Sequence, residues 1–443
     1  MSSLKPNLTF AQIINMNLGF FGIQYSFGLQ QSAVNPIYDM LGAQPHEIPI
    51  LNLAGPVTGL IVQPIIGAMS DKTWSPRFGR RKPYFFIGAL LCSIALFFYP
   101  FSSALWMAVG LLWILDVGNN TAMEPYRAFI ADKLNDKQQP LGFQAQSFFT
   151  GFGQTLANVS LFVFPLLIVG KTGALPTWVY ASFFFGAFCS IASIWWSMRT
   201  TPEIPPSAQE LEHMKANKLN VLTPFIEIAK AITSMPKVMW QLALVYLFQW
   251  YALFCYWQNA SKSIALSVWN TTPANEELYQ KAVSWTGLVN GWYNIVTFLS
   301  AFALVWFVKK SSPKTVHFVC LVLAAIDFLT FPFIENKYLL FPAITGFGVG
   351  WASMMGIPYL LVVSAIPKER YGVYMGIVNM MIVIPMILQN VTFGYILQNF
   401  LGNNAGNAIV FAGVLLILAA LATLLIKSEQ PSGEISIPQS GSH

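Results

Sequence analysis

Mostly apolar blocks of about 20 residues, each long enough to cross a bilayer as a helix, recur from Phe10 to Lys427 with short polar breaks between them. Twelve windows fit: 10–33, 47–70, 83–101, 104–131, 141–169, 175–198, 237–259, 281–308, 315–334, 338–365, 370–398 and 405–427. The first holds Gln12, Asn15, Asn17, Gln24 and Gln30 and has no small-residue cleavage site after a short apolar run, so it reads as helix 1 and not as a signal peptide. The longest polar stretch, 199–236, divides six windows from six. Its Pro-rich start is followed by helix-favouring residues from Ser207 to Asn217, which predict a short surface helix.

Composition agrees with the pattern. Only 9% of the 443 residues are charged and 55% are apolar, a balance that leaves a soluble protein of this size without a hydrated surface. The four cysteines, Cys92, Cys189, Cys255 and Cys320, all fall inside windows and read as small core residues. With the N-terminus inside, nineteen of the 24 Lys and Arg fall on the cytoplasmic side, including the cluster Lys72, Arg77, Arg80, Arg81 and Lys82. Lys171, Lys262, Lys281 and Lys337 fall outside, and Arg127 lies within a span. Both termini are therefore expected in the cytoplasm of a cell with the chain in its (inner) membrane. The net charge of +6 follows from this topology, so nucleic acid is not needed as a partner.

The expected organisation is an N-terminal six-helix half (1–200), a cytoplasmic linker (201–236), a C-terminal six-helix half (237–427) and a disordered cytoplasmic tail (428–443). Two such halves suggest an all-α major facilitator architecture of 12 transmembrane helices with the solute site between them near the midplane. Gly55, Pro56, Gly59, Pro64, Gly67, Pro125, Pro358 and Pro385 lie inside spans, where they serve close packing or hinge motion.

Helix 4 carries the most informative residues. At 100° per residue, Asp116, Asn120, Glu124 and Arg127 sit at about 0°, 40°, 80° and 20° around the axis, in one stripe about 16 Å long. Facing lipid, each charge would cost about 3 kcal/mol, so the stripe must face the interior. Glu124 and Arg127, at i,i+3, also fit a buried ion pair that only fixes packing. Asp116 has no basic neighbour within a turn of its own helix. A carboxylate taken out of water without a fixed cation takes up a proton more readily, which a carrier of a coupled proton requires. Asn119 and Asn120 do not titrate and are expected to hydrogen-bond Asp116 or solute hydroxyls.

Amides dominate the other polar positions in spans: Gln24, Tyr25 and Gln30 in helix 1, Gln154 and Asn158 in helix 5, Gln249 in helix 7, Asn290 and Asn294 in helix 8, Asn379 and Gln389 in helix 11. Neutral donors and acceptors beside many aromatics suit a polyhydroxylated neutral solute, and each amide alone also suits interhelical bonding. Asp327 lies well inside helix 9, and the sequence assigns it no role. Between helices 2 and 3, an acid at the end of a span followed by a basic cluster can form charge contacts that close one side, or can be a plain basic loop.

The segments GIQYSFGLQQ (22–31), AGPVTGLIVQP (54–64), DKTWSPRFGRRKP (71–83), DVGNN (116–120) and MGIVNMMIVIP (375–385) together resemble the plant sucrose:proton symporters, a branch of the major facilitators whose bacterial relatives carry sucrose or maltose. The resemblance implies that Asp116 is the proton site and that Asp71, Gly79 and Arg80 belong to a gating motif; Arg77 and Arg81 of the same basic loop complete the expected gating set. The polar positions inside the spans give the expected substrate-binding set: Gln24, Tyr25, Gln30, Asn119, Asn120, Glu124, Arg127, Gln154, Gln249, Asn290 and Asn379. The chain departs from the plant pattern at Glu124, where that pattern has Gln, and at Gln258 and Asn259, where it has an acidic pair.

The expected activity is proton-coupled uptake of a neutral disaccharide by a monomer that needs no cofactor or metal. A sodium-coupled glycoside carrier of the melibiose type would have paired acids within helix 2, which is free of acids from Ile48 until Asp71. A non-transporting sensor would carry a long cytoplasmic extension, and an intramembrane enzyme would need a motif such as HExxH, which the spans lack.

Overall fold

The computed structural model describes residues 5–135, 138–216, 235–363 and 371–426, with positions 222, 226, 229, 230, 232 and 233. The expected tail, 428–443, lies outside the described residues, as does most of the linker beyond Ala216. Twelve long helices run through the described residues: α1 (Phe10–Met40), α2 (Ala54–Lys72), α3 (Lys82–Phe98), α4 (Leu105–Lys133), α5 (Gln139–Leu167), α6 (Thr177–Thr200), α7 (Lys237–Trp269), α8 (Glu276–Lys310), α9 (Pro313–Thr330), α10 (Thr345–Val363), α11 (Tyr371–Asn399) and α12 (Ala405–Leu424). A short helix, Ala208–Ala216, follows α6.

By length and composition, nine helices among the described residues are apolar enough to cross a membrane. The other three long helices are α1, α4 and α8; polar residues interrupt α1 and α4, and the fold turns Asn17, Gln24, Asp116, Asn119 and Asn120 inward. The chain is a multi-pass integral membrane protein.

Packing repeats with a shift of six helices. In the first half α1 packs on α5 and α6, α3 on α4 and α6, and α2 on α4; in the second, α7 packs on α11 and α12, α9 on α10 and α12, and α8 on α10. The halves meet where α5 packs on α8, α2 on α11, and α1 on α7 and α8. Each half has an aromatic interior: Phe85 and Phe20 surround Tyr126 in the first, and Tyr256 stacks on Phe328, centroids 4.7 Å apart, in the second. All four cysteines are buried and free. Connections 72–82, 133–139, 200–237 and 310–313 share one end of the bundle, here the basic face; the opposite end is the far face.

Four expected windows differ from the helices. Helix 1 extends to Met40 and helix 7 to Trp269, because Asn35, Asp39 and Lys262, which read as loop residues, find partners across the seam between the halves. Window 47–70 breaks at Asn52, whose side chain bonds Ile48 O and Asn35 Oδ1. Window 338–365 breaks at Ile344, and α10 begins only at Thr345.

That last break explains Asp327. Its carboxylate, on α9, accepts the Phe347 N–H at 2.7 Å and so serves the first turn of α10, where N–H groups have no partner within their own helix. Asp327→Ala is expected to lower the stability of the purified protein by about 1–2 kcal/mol, while Asp327→Asn, which keeps an acceptor, loses less. Thermal unfolding in detergent measures both, and equal losses would contradict the capping role.

Candidate solute and coupling site

The polar stripe of α4 faces a row of small residues on α2. Gly55, Gly59 and Gly67 stand one turn apart from one another or two, and their bare backbone admits the stripe: a Cβ at Gly55 would lie 3.6 Å from Asp116 Oδ2, one at Gly59 3.9 Å from Asn120 Oδ1, and one at Gly67 3.6 Å from Glu124 Cγ. A longer side chain at any of them would displace the polar group it meets. The fourth member of the row is Gln63, the one long side chain in it.

Asp116 is 1% exposed. Its oxygens accept from Gln30 Nε2 of α1 at 2.9 and 3.1 Å, and Gln30 Oε1 is buried with no partner among the described residues. Asn120 donates to Asp116 O at 2.9 Å and to Thr58 Oγ1 at 3.0 Å. Gln63 Nε2 donates to Asn120 Oδ1 at 2.6 Å, and Gln63 Oε1 accepts from Asn379 Nδ2 of α11 at 3.4 Å. Toward the basic face, Glu124 and Arg127 are 3.9 Å apart with side chains 40% and 48% exposed, so water screens them and their attraction contributes less than about 1 kcal/mol. The fully buried ion pair that the sequence allowed is not what forms.

Other expected site residues lie elsewhere. Asn119 is one position from Asn120 and therefore points about 100° away; it donates to Ser26 Oγ and accepts from Cys92 Sγ, inside the first half and away from Asp116. Tyr25 donates to Ser160 Oγ at 2.7 Å within the first-half core, and Gln24 accepts from Gln154 at 2.9 Å between α1 and α5. Asn290 donates to Ser32 Oγ at 3.1 Å and accepts from Tyr256 at 3.0 Å, which uses it to join the halves. Gln249 is fully buried, and neither amide atom has a partner among the described residues. The fold thus gathers Asp116, Gln30, Asn120, Glu124, Arg127 and Asn379 and separates them from Tyr25 and Asn119.

The sequence reading missed the seal at the far face. Lys262 of α7, expected in an outer connection, donates to Asp39 Oδ1 of α1 at 3.1 Å, and Tyr279 of α8 donates to Asp39 Oδ2 at 2.5 Å. Around this pair Asn35 donates to Trp257 O and Asn390 donates to Asn52 O. Lys171 pairs with Glu276 at 2.9 Å at the rim. An acid and a base of opposite halves at matching depth in α1 and α7 was the available signal.

At the basic face Arg81 pairs with Asp71 at 2.6 Å and Asp132 at 2.9 Å, and donates to Ser70 Oγ at 2.7 Å. Burial works against its charge, and Asp132 and Asp71 outweigh that, so its pKa is raised. Arg80 reaches Asp71 at 3.5 Å. Gly79 holds a φ of +83°, which favours glycine. Arg77 is exposed, lies over Phe78 and stands outside the cluster. The cluster depends on a residue that the motif did not include: Glu203, after α6, accepts the backbone N–H groups of Arg80, Arg81 and Lys82 at 2.6–3.0 Å and so neutralises the N-terminus of α3.

Two matching six-helix halves with a polar site at their seam and an ion-paired seal at the far face have the build of a membrane transporter and not of an enzyme. The chain belongs to the Major Facilitator Superfamily, whose family model matches residues 16–389. It is similar to sucrose transport protein SUC4 of Arabidopsis thaliana, 24% identical over 93% of this chain and 90% of that one, and to sucrose transport protein SUT5 of Oryza sativa subsp. indica, 22% identical over 88% and 82%. In fold it is similar to the nucleoside transporter NupG (TM-score 0.68, 13% identity, 94% and 99% coverage). It is likewise similar to the inward open conformation of the xylose transporter XylE from E. coli (TM-score 0.66, 16% identity, 96% and 97% coverage).

Glu203→Ala leaves three N–H groups of the α3 entry without their acceptor and is expected to destabilise the protein by about 2 kcal/mol, whereas Arg77→Ala should change stability by less than about 0.5 kcal/mol. Thermal unfolding in detergent separates the two, and the reverse order would contradict the assignment of Glu203.

Proposed function

We propose that the protein couples uptake of a neutral disaccharide, of the sucrose or maltose type, to a proton by alternating access across the cell (inner) membrane. It works as a monomer with both termini in the cytoplasm, and residues 1–200 and 237–427 are the two bodies that rock about the seam with 201–236 linking them. The basic face is then cytoplasmic. The conformation described is the inward-facing one.

The observation that carries the reading is Asp116, a buried carboxylate bonded by its side chain to an amide and with no cation paired to it among the described residues. A lone negative charge there costs on the order of several kcal/mol, so binding of one positive charge is favoured, and a proton is the smallest. The amides of Gln30, Gln63, Asn120 and Asn379 nearby suit hydroxyl groups, which donate and accept. Relatives named as sucrose transport proteins support the disaccharide. In the cycle, protonation of Asp116 and sugar binding together permit closure, and release of both to the cytoplasm resets the outward-facing state. Asp71, Gly79, Arg80 and Arg81 hold the cytoplasmic ends of α2, α3 and α4 as one body during the swing.

Asp116→Asn is expected to abolish uphill accumulation of labelled disaccharide in proteoliposomes while equilibrative exchange continues. Accumulation that persists in that variant would exclude Asp116 as the coupling site. Uptake driven by a sodium gradient without a pH gradient is expected to stay at background; robust accumulation would favour the sodium-coupled reading.

A further inference from the structure

We propose that Gln63 of α2, with Asn379 of α11, is a specificity-determining ligand that holds one hydroxyl group of the solute between the two halves. The proposal rests on the reading above that the solute is a neutral sugar.

Three observations meet at this residue. In the row that faces the α4 stripe, Gly55, Gly59 and Gly67 make room and Gln63 alone fills it. Gln63 is half-buried, and its Nε2 is fixed on Asn120 Oδ1 at 2.6 Å, so Asn120, itself tied to the Asp116 backbone, orients the amide. Its carbonyl then faces Asn379 across the seam at 3.4 Å, well beyond the usual 2.9–3.0 Å of an N–H···O bond. These bonds use one of two N–H donors and one of two carbonyl lone pairs, half the capacity of the side chain.

A hydroxyl is the group that fits. It accepts from Asn379 Nδ2 and donates to Gln63 Oε1, which replaces one stretched contact by two ordinary ones. A carboxylate only accepts, so it leaves the Gln63 carbonyl facing another acceptor. An ammonium only donates, so it leaves the Asn379 N–H without an acceptor. Because Gln63 belongs to one half and Asn379 to the other, a hydroxyl held by both also draws α2 toward α11, which favours closing the seam over bound solute. Asp116, one row higher on the same face, is linked to this ligand through Asn120.

The test is binding affinity for a transported disaccharide and its set of mono-deoxy analogues, measured on the purified full chain of wild type, Gln63→Leu, Asn379→Leu and the double variant. Wild type is expected to bind one deoxy analogue about tenfold more weakly than the parent sugar, because that analogue leaves both amides unpaired. Gln63→Leu should bind the parent about tenfold more weakly and no longer discriminate against that one analogue, while discrimination at other hydroxyls stays. Asn379→Leu should erase the same discrimination from the opposite half, which also decides the matter if Gln63→Leu fails to fold. The double variant should be little weaker than either single one. If wild type binds sugar and both single variants retain every discrimination, this proposal is overturned and the transport reading stands. If wild type binds no neutral disaccharide, the transport reading fails and the proposal with it.

Discussion

The far face stays shut through a charge pair that has no water to turn to. Asp39 and Lys262 come from opposite halves, lie 3.1 Å apart and have side chains only 2% and 5% exposed. Removing one partner of such a pair leaves a bare buried charge and costs about 3–5 kcal/mol, whereas opening the face hydrates both charges together. The pair therefore favours two conditions, both charges covered or both wet, and opposes partial opening. Tyr279 extends it to α8, and Ser32 with Asn290 continues the join inward. The seclusion of Asp116 depends on this seal, since a leak at the far face would bring water to the carboxylate from that side.

Inside the seal the close approach of α2 to α4 governs what the site can do. Glycines let the backbone of α2 lie against the stripe, so polar side chains of α4 are not pushed toward lipid. Membrane helices gain little from burying apolar surface against one another, since lipid tails are equally apolar. Packing and hydrogen bonds decide their arrangement instead. The interior bonds of Gln24 with Gln154, Tyr25 with Ser160, and Asn119 with Ser26 and Cys92 are of this kind. They tie the helices of the first half to one another, which leaves the seam as the place where motion of that half costs least.

The twelve helices were legible in the sequence because apolar runs of span length are a strong signal. The stripe of Asp116, Asn120, Glu124 and Arg127 was legible because helical periodicity fixes its face. Periodicity does not tell which neighbouring helix a polar group meets, so Asn119 and Asn120 looked alike and Tyr25 looked available to solute. Helix ends misled for a related reason: Asn35, Asp39 and Lys262 read as solvated loop residues until a partner on the other half is in view. Asp327 had no explanation in sequence because the helix terminus that it serves belongs to a different span. Glu203 looked like part of a linker, since nothing local ties an acid after α6 to the N-terminus of α3.

The central claim is that sugar and proton move together through the seam. Its most direct test uses the unmodified protein in lightly buffered proteoliposomes with no imposed gradient: disaccharide is added outside while external pH and tracer uptake are recorded together. The account predicts that the outside becomes more alkaline as sugar enters, in proportion to uptake, and that a protonophore abolishes the pH change while sugar entry continues. Tracer entry with no change in external pH would contradict it.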